Sequence, residues 1–303
     1  MKTTWIERDL LAHFEQQKTN AHRLCSASRG WMERYGDDVL VSFHDDATRE
    51  RLTTEYFLWA ERAGFSLKRM FARFLPRENA ERVAPMLLLG DADAERRSVV
   101  LEHGWHFGVD FTAGYSAGLF IDQRENRRFV RSTSPKNMLN CFAYTCSFSV
   151  AAAAAGAKTL SIDLSRKSLE RGRVNFALNS LSTTEHRFIA DDVFELLPRL
   201  ARRGEKFDLL ILDPPTFSKV RRGKSFRVES DFERLLIAAL EVAERGARIL
   251  LSTNCSNLDS RALEVMGRFC LKTTRRAGSF HREPLPVEFS PGSAASTVWL
   301  TLR

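Results

Sequence analysis

The run Asp208-Leu209-Leu210-Ile211-Leu212-Asp213-Pro214-Pro215-Thr216-Phe217 holds the residues best placed for chemistry. Four consecutive aliphatics between two aspartates suit a strand buried on both faces, as at the centre of a parallel α/β sheet. Pro214 and Pro215 have no backbone N–H and end the pairing. Asp213 then stands at the carboxyl end of its strand, where open α/β sheets keep their ligand crevice, with Phe217 close behind. Two further sites repeat the arrangement. Asp163 closes the apolar Lys158-Thr159-Leu160-Ser161-Ile162, and Asp191-Asp192 follows His186-Arg187-Phe188-Ile189-Ala190. A carboxylate at Asp163 can accept hydrogen bonds from both ribose hydroxyls of a nucleoside, and one at Asp191 or Asp192 can accept from an adenine amino group. Read as structure alone, these acids are helix N-caps or solvated loop residues. A thiol joins them: Cys255, in Leu251-Ser252-Thr253-Asn254-Cys255, lies just past the next strand, where it can face the same crevice or serve as a small buried core residue.

The elements that must carry these groups alternate from Pro135 onward. Strands are expected at 136–144, 158–163, 186–190, 207–212, 247–252 and 296–302, with helices at 148–155, 168–178, 193–200 and 231–244. Strand alternating with helix implies a parallel sheet with right-handed crossovers. The loop after the first strand, Tyr144-Thr145-Cys146-Ser147-Phe148-Ser149, has no glycine. A dinucleotide enzyme needs G-x-G-x-x-G there to admit a pyrophosphate, so the loop favours a cofactor without phosphates.

Residues 1–100 have a mixed texture and form a small α+β unit, separate from an α/β unit at 101–303. Leu10–Glu15 reads as helix and Asp38–Phe43 as strand. A longer helix is expected over Tyr56–Ala63 and Phe65–Leu75, closed by Pro76. Pro85–Gly90 and Ser98–Glu102 are short strand candidates. Trp105–Phe111 and Leu119–Asp122 read as a hairpin around the glycine-bearing Ala113–Gly118.

Composition narrows the class. The chain has 303 residues, 44% hydrophobic and 28% charged, which suits a globular protein of two domains. It has neither a membrane-length apolar run nor the apolar stretch of a signal peptide at Met1–Glu7, so a cytoplasmic protein is expected. Five cysteines without metal-type pairing point to reduced thiols, with neither a disulfide framework nor a metal. A net charge of +8 suits an anionic partner. The densest charge is Lys219-Val220-Arg221-Arg222-Gly223-Lys224-Ser225-Phe226-Arg227, five cations in nine residues beside Asp213. Lys219, Arg221, Arg222 and Lys224 there suit phosphate contact, or simply form a solvated loop.

Taken together, Phe120-Ile121-Asp122-Gln123-Arg124, Leu139-Asn140-Cys141-Phe142-Ala143-Tyr144-Thr145, Asp163, Asn175 with Asn179, and Asp213-Pro214-Pro215-Thr216-Phe217-Ser218 resemble the S-adenosylmethionine-dependent methyltransferases of 23S ribosomal RNA, the large-subunit enzymes of cytosine-C5 and guanine-N7 type. The resemblance covers about residues 101–303. More loosely, 19–100 resemble the small domain that precedes catalysis in that family, best at Thr19–Leu24. An RNA-binding PUA domain usually stands in front, and this chain is expected to lack it. The family also commonly has Gly-Gly where Cys146-Ser147 stands.

The resemblance implies a doubly wound, Rossmann-like class I methyltransferase sheet preceded by a small α+β domain. It assigns Phe142, Tyr144, Thr145, Cys146 and Ser147 to the methionine end of S-adenosylmethionine, Asp163, Leu164 and Ser165 to its ribose, and Asp191 and Asp192 to its adenine. Arg124, with a planar fork suited to bidentate contact, becomes a carboxylate partner or a surface salt bridge. Pro214, Pro215, Thr216 and Phe217 fall on the substrate side. The implied partner is RNA, as 23S ribosomal RNA or an assembling large subunit. Cytosine C5 is a poor nucleophile; the family's C5 members use a lone cysteine in an S-C-S-like motif, and here Asn254 replaces its first serine. Cys255 is thereby implied as nucleophile and Asp213 as the acid beside the reacting atom. The guanine-N7 members have asparagine-rich sequence and no cysteine there, so guanine N7 stays an alternative, as does a cofactor-binding RNA module without catalysis.

Overall fold

The computed structural model describes residues 3–76, 82–219 and 225–303. Contacts divide the chain into two compact units, Met1–Ile121 and Asp122–Arg303.

In the first unit the elements run β1 (Thr4–Trp5), α1 (Arg8–Gln16), β2 (Ala21–Ala27), β3 (Gly30–Tyr35), β4 (Asp38–Phe43), α2 (Asp46–Ala63), β5 (Arg69–Phe74), β6 (Met86–Leu89), β7 (Arg97–Glu102) and β8 (Trp105–Asp110). Strands β1 to β6 form one sheet in sequence order. The pair β4–β5 is parallel, with α2 as its crossover, and the other neighbours are antiparallel. The side chains of Leu24, Met32, Val41, Leu52, Tyr56 and Met70 fill the core between sheet and helices.

Two expectations fail here, each for a local reason. Phe65–Leu75 does not continue the helix: Gly64, at φ +69°, ends α2 in the left-handed conformation, and the chain re-enters the sheet as β5. The hairpin lies one element earlier than expected. Strand β8 pairs with β7 across His103-Gly104, both at positive φ, which is the geometry of a tight two-residue turn. Leu119–Asp122 forms no strand; Ile121–Gln123 is a single 3-10 turn. The β7–β8 hairpin belongs with the small sheet, since Asn20 and Leu101 exchange hydrogen bonds and Arg69 reaches Ser98. The division therefore falls after Ile121, later than the expected 100/101.

In the second unit the order is α3 (Arg124–Ser132), β9 (Asn137–Cys141), α4 (Ser147–Ala154), β10 (Lys158–Asp163), α5 (Arg166–Leu178), β11 (Arg187–Ala190), α6 (Val193–Arg202), β12 (Phe207–Leu212), β13 (Phe217–Lys219), β14 (Ser225–Arg227), α7 (Val228–Leu240), β15 (Ala243–Thr253), α8 (Ser260–Thr273), β16 (Gly278–His281) and β17 (Ser296–Leu302). Seven strands make the sheet β11-β10-β9-β12-β15-β17-β16, parallel from β11 to β15 and antiparallel at β17. The chain first builds outward from β9 to β11 and then restarts on the other side with β12. This is the doubly wound arrangement, and the reversal between β9 and β12 opens a crevice at the strand ends. Helix α7 starts at Val228, before the expected Asp231, because Asp231 accepts from Arg227 N–H and caps the turn from within. Of the basic segment, Arg221, Arg222 and Lys224 lie outside the described residues. Among the described residues no helix is long and apolar enough to cross a membrane, and all five cysteines are free thiols.

Candidate functional site

Register places the acids. Ile162 pairs with Cys141, Cys141 with Leu212, and Leu212 with Leu251, so one row crosses β10, β9, β12 and β15. The residues that follow, Asp163, Phe142, Asp213 and Ser252, therefore stand side by side along the carboxyl edge of the sheet. On the next strand Ala190 pairs with Asp163, which sets Asp191 one step beyond that edge.

The loop after β9 resolves its missing glycine in an unexpected way. Phe142, Tyr144 and Cys146 all take left-handed backbone conformations, at φ 58°, 48° and 59°. Each costs about 1–2 kcal/mol relative to a glycine, so neighbours must hold the loop. Tyr144 N–H donates to Asp163 Oδ2 at 2.8 Å, Cys146 N–H to the Ala143 carbonyl at 2.7 Å, and Asn175 Nδ2 to the Thr145 carbonyl at 2.8 Å. Cys146 lies against α5 at Gly172, where a Cβ would overlap its sulfur and stand 2.9 Å from its own Cβ. Gly172 is thus what lets α5 approach. Burial pushes the Cys146 thiol up to about 12, so it stays protonated at neutral pH and is no nucleophile. Thr145 is buried, and Ser147 opens α4. Tyr144 lies under the Arg171 guanidinium, and Phe142 packs on Phe226.

Asp163 joins loop and helix. While Oδ2 holds Tyr144, Oδ1 accepts from Ser165 N–H at 2.8 Å. Burial raises its pKa, and these two backbone donors oppose the rise. A carboxylate offers about four acceptor sites, so the two bonds leave acceptor capacity for hydroxyls. Leu164 is exposed beside it, and Ser165 caps α5 through Ser168 N–H.

Asp191 and Asp192 are occupied within the protein. Asp192 caps α6 by accepting from Phe194 N–H at 2.9 Å, as the structural alternative expected. Asp191 accepts from Asp192 N–H and pairs with Arg199 at 3.1 Å. Arg124 is also engaged: its two terminal nitrogens meet Glu288 at 2.8 and 2.7 Å, in a buried pair with its fork already filled. The pairing is an internal one, neither a surface bridge nor an open carboxylate receptor.

Asp213 is the most perturbed acid of the row. Burial pushes its pKa up to about 6; the Ser252 hydroxyl and Arg127 pull it down, while Asp122 adds to the rise. Pro214 is buried, whereas Pro215 and Thr216 are exposed. Phe217 is 48% exposed, with the Arg227 guanidinium 5.5 Å from its ring centre. Lys219 ends β13. Cys255 lies two residues past β15 and is only 6% exposed, packed in the core cluster that includes Val228, Phe232 and Leu263. Its N–H donates to Thr253 Oγ1. Sequence reasoning missed Glu288, Gly172 and Ser252. Of these, Ser252 alone carried a signal, as a hydroxyl on the strand beside Asp213.

Residues 46–291 match the S-adenosylmethionine-dependent methyltransferase family. The chain belongs to that family. Its cofactor is S-adenosylmethionine, and the residues present fit it: a loop turned back three times at the end of β9, and Asp163 clamped beside it with acceptor capacity to spare. The chain is 39% identical over 169 residues to ribosomal RNA large subunit methyltransferase I of Aeromonas salmonicida, covering 54% of this chain and 42% of that protein. It is 40% identical over 166 residues to ribosomal RNA large subunit methyltransferase K/L of a Psychrobacter species, covering 53% and 20%. It thus spans less than half the length of either relative. Among solved structures, SMU.776 complexed with SAH superposes at a TM-score of 0.83 and 24% identity, covering 98% of this chain and 79% of that one. That likeness shows the fold.

Proposed function

We propose that this methyltransferase acts on ribosomal RNA, with cytosine C5 as the acceptor atom, Cys255 as nucleophile and Asp213 as base. The observation that carries the reading is the shared strand-end row: Asp213 stands between the cofactor loop at Phe142 and the β15 end that leads to Cys255. Bound S-adenosylmethionine supplies an electrophilic methyl group. Asp163 would hold the cofactor's ribose, and the Phe142–Ser147 loop its methionine end. Adenine recognition falls to the segment around Asp191 and Asp192, whose carboxylates are engaged, so shape and backbone groups contribute there.

At the acceptor, the Cys255 thiolate adds to cytosine C6, and the electron pair moves to C5. C5, made nucleophilic in this way, would accept the methyl group that the cofactor supplies as an electrophile. The Asp213 carboxylate then removes the C5 proton, and the S–C6 bond breaks to restore the ring and the thiolate. An acid with a pKa near 6 is ionised at neutral pH, yet basic enough to take that proton. The relatives named for ribosomal RNA, the net charge of +8 and the exposed Phe217 beneath Arg227 support an RNA substrate, since an aromatic–cation platform suits base stacking. Lys219, Arg221, Arg222 and Lys224 would meet phosphates. Guanine N7 is the second reading, favoured by the packing of Cys255 in the core. N7 carries its own lone pair and requires neither thiol nor base.

The two separate cleanly. RNA carrying 5-fluorocytosine cannot release its C5 substituent as a proton, so the covalent mechanism predicts a complex that survives denaturation and vanishes in Cys255→Ala. Undiminished methylation by Cys255→Ala contradicts the thiol mechanism and leaves guanine N7.

A further inference from the structure

Behind Asp213 four buried polar side chains form one hydrogen-bonded line. Trp299 Nε1 donates to Asn126 Oδ1 at 2.9 Å, Asn126 Nδ2 to Gln123 Oε1 at 2.8 Å, and Gln123 Nε2 to Ser252 Oγ at 3.0 Å. The second hydrogen on Asn126 Nδ2 faces Thr297 Oγ1 at 3.5 Å. Register sets Ser252 beside Asp213, one step past the Leu212–Leu251 pair. The members come from distant parts of the chain, and all of Trp299, Asn126, Gln123 and Ser252 are buried.

The line has a fixed direction. An indole N–H can only donate, so the atom of Asn126 that meets Trp299 must be its carbonyl oxygen. The amide nitrogen of Asn126 then faces Gln123, which must present its own carbonyl and turn its nitrogen to Ser252. Ser252 Oγ therefore accepts on that side, which leaves its single hydrogen for another acceptor. A reversed amide anywhere in the line would set donor against donor in a buried site, at a cost of about 1–3 kcal/mol. Hydrogen bonds in such a chain also polarise one another, which strengthens the last link.

We infer that Gln123 and Ser252 are positioning residues for Asp213: the one-way line from Trp299 spends the Ser252 hydroxyl hydrogen on the Asp213 carboxylate and so holds that group in its ionised, proton-accepting form and in one orientation. The inference rests on the reading of Asp213 as the base. The charged groups facing that carboxylate are Asp122, which opposes ionisation, and Arg127, which favours it. Ser252 adds the neutral donor that burial of the carboxylate requires. It also accounts for Asp122-Gln123-Arg124 as a unit, since Asp122 accepts from Ala295 N–H while Arg124 grips Glu288, and both fix the turn that carries Gln123.

The test reads Asp213 itself, without RNA or methyl transfer, so it stands or falls apart from the proposed reaction. In protein labelled with carboxyl-13C aspartate, the Asp213 signal is the one missing from Asp213→Asn, and its titration is followed by NMR. A hydrogen bond to a charged acceptor is worth about one pKa unit or more. The midpoint is expected to rise by about one unit in Ser252→Ala, to return to the wild-type value in Ser252→Thr, and to rise by a smaller amount in Gln123→Met. A network that serves packing alone would lower stability in Ser252→Ala and leave the midpoint in place, which overturns the inference. Should Gln123→Met not fold, the Ser252 pair decides.

Discussion

Asp213→Asn is expected to be more stable than the wild-type protein at pH 8 and to transfer methyl groups about 10²–10⁴-fold more slowly. Both effects come from one partly buried carboxyl. Its ordinary pKa of 3.8 is pushed up to about 6 in the folded chain, so between those values the folded state holds a proton that the unfolded state has released. Stability from this group is therefore full below about pH 4, falls as pH rises through 6, and stays low above that. The difference amounts to about 2–3 kcal/mol at pH 8. Asparagine keeps the shape and an acceptor for Ser252 but carries no charge to bury. Urea unfolding of both proteins at pH 4 and pH 8 measures this: the curves should coincide at the lower pH and separate at the higher one. A variant no more stable at pH 8 would mean that Asp213 is better solvated than its place in the row implies. Retained methyl transfer would remove it as the base.

The second large effect belongs to Asp163→Asn. The wild-type carboxylate holds Tyr144 N–H and Ser165 N–H together. An asparagine puts an NH₂ group against one of those two donors, loosening either the left-handed loop or the start of α5. In the proposed role its contact with the cofactor's ribose would be lost as well. Each charge-assisted hydrogen bond contributes about 1.5–3 kcal/mol, so the affinity for S-adenosylhomocysteine should fall at least about 100-fold by calorimetry. A second ligand divides the effect. An analogue lacking the ribose hydroxyls should bind wild type weakly and the variant no more weakly still, because the two losses share one interaction. Equal penalties in both proteins would make Asp163 a clamp for the loop and not a ribose ligand.

Much of the catalytic unit is legible because its signals are local. The aliphatic run closed by Asp213-Pro214-Pro215 fixes the end of β12 from composition alone, and the strand–helix alternation around it fixes a parallel sheet. The first unit is harder to read. The aromatic run Phe65–Leu75 satisfies a helical spacing, and a single left-handed glycine at 64 turns its latter part into β5. Strands β2 and β3 carry arginine, glutamate and histidine on buried positions, as in the Arg23–Glu33 pair, which hides their strand character. At the site, strand ends are readable but occupancy is not. Nothing near Arg124 announces that Glu288 fills its fork, and nothing in Asp191-Asp192 distinguishes an adenine contact from the cap of α6. The first loop is the sharpest case. Absence of glycine speaks to the kind of cofactor and not to the backbone, where three non-glycine residues adopt left-handed conformations because Asp163, Asn175 and Gly172 hold them there.

The central claim is that this chain moves a methyl group from S-adenosylmethionine to a base of ribosomal RNA. The purified protein, incubated with methyl-labelled S-adenosylmethionine and unmodified large-subunit ribosomal RNA, followed by digestion and chromatography of the nucleosides, tests it most directly. Label in 5-methylcytidine is the expected result, and label in 7-methylguanosine would move the acceptor to guanine and release Cys255 from its role. RNA that stays unlabelled, both as naked transcript and as isolated large subunit, while the protein binds S-adenosylhomocysteine would contradict the account.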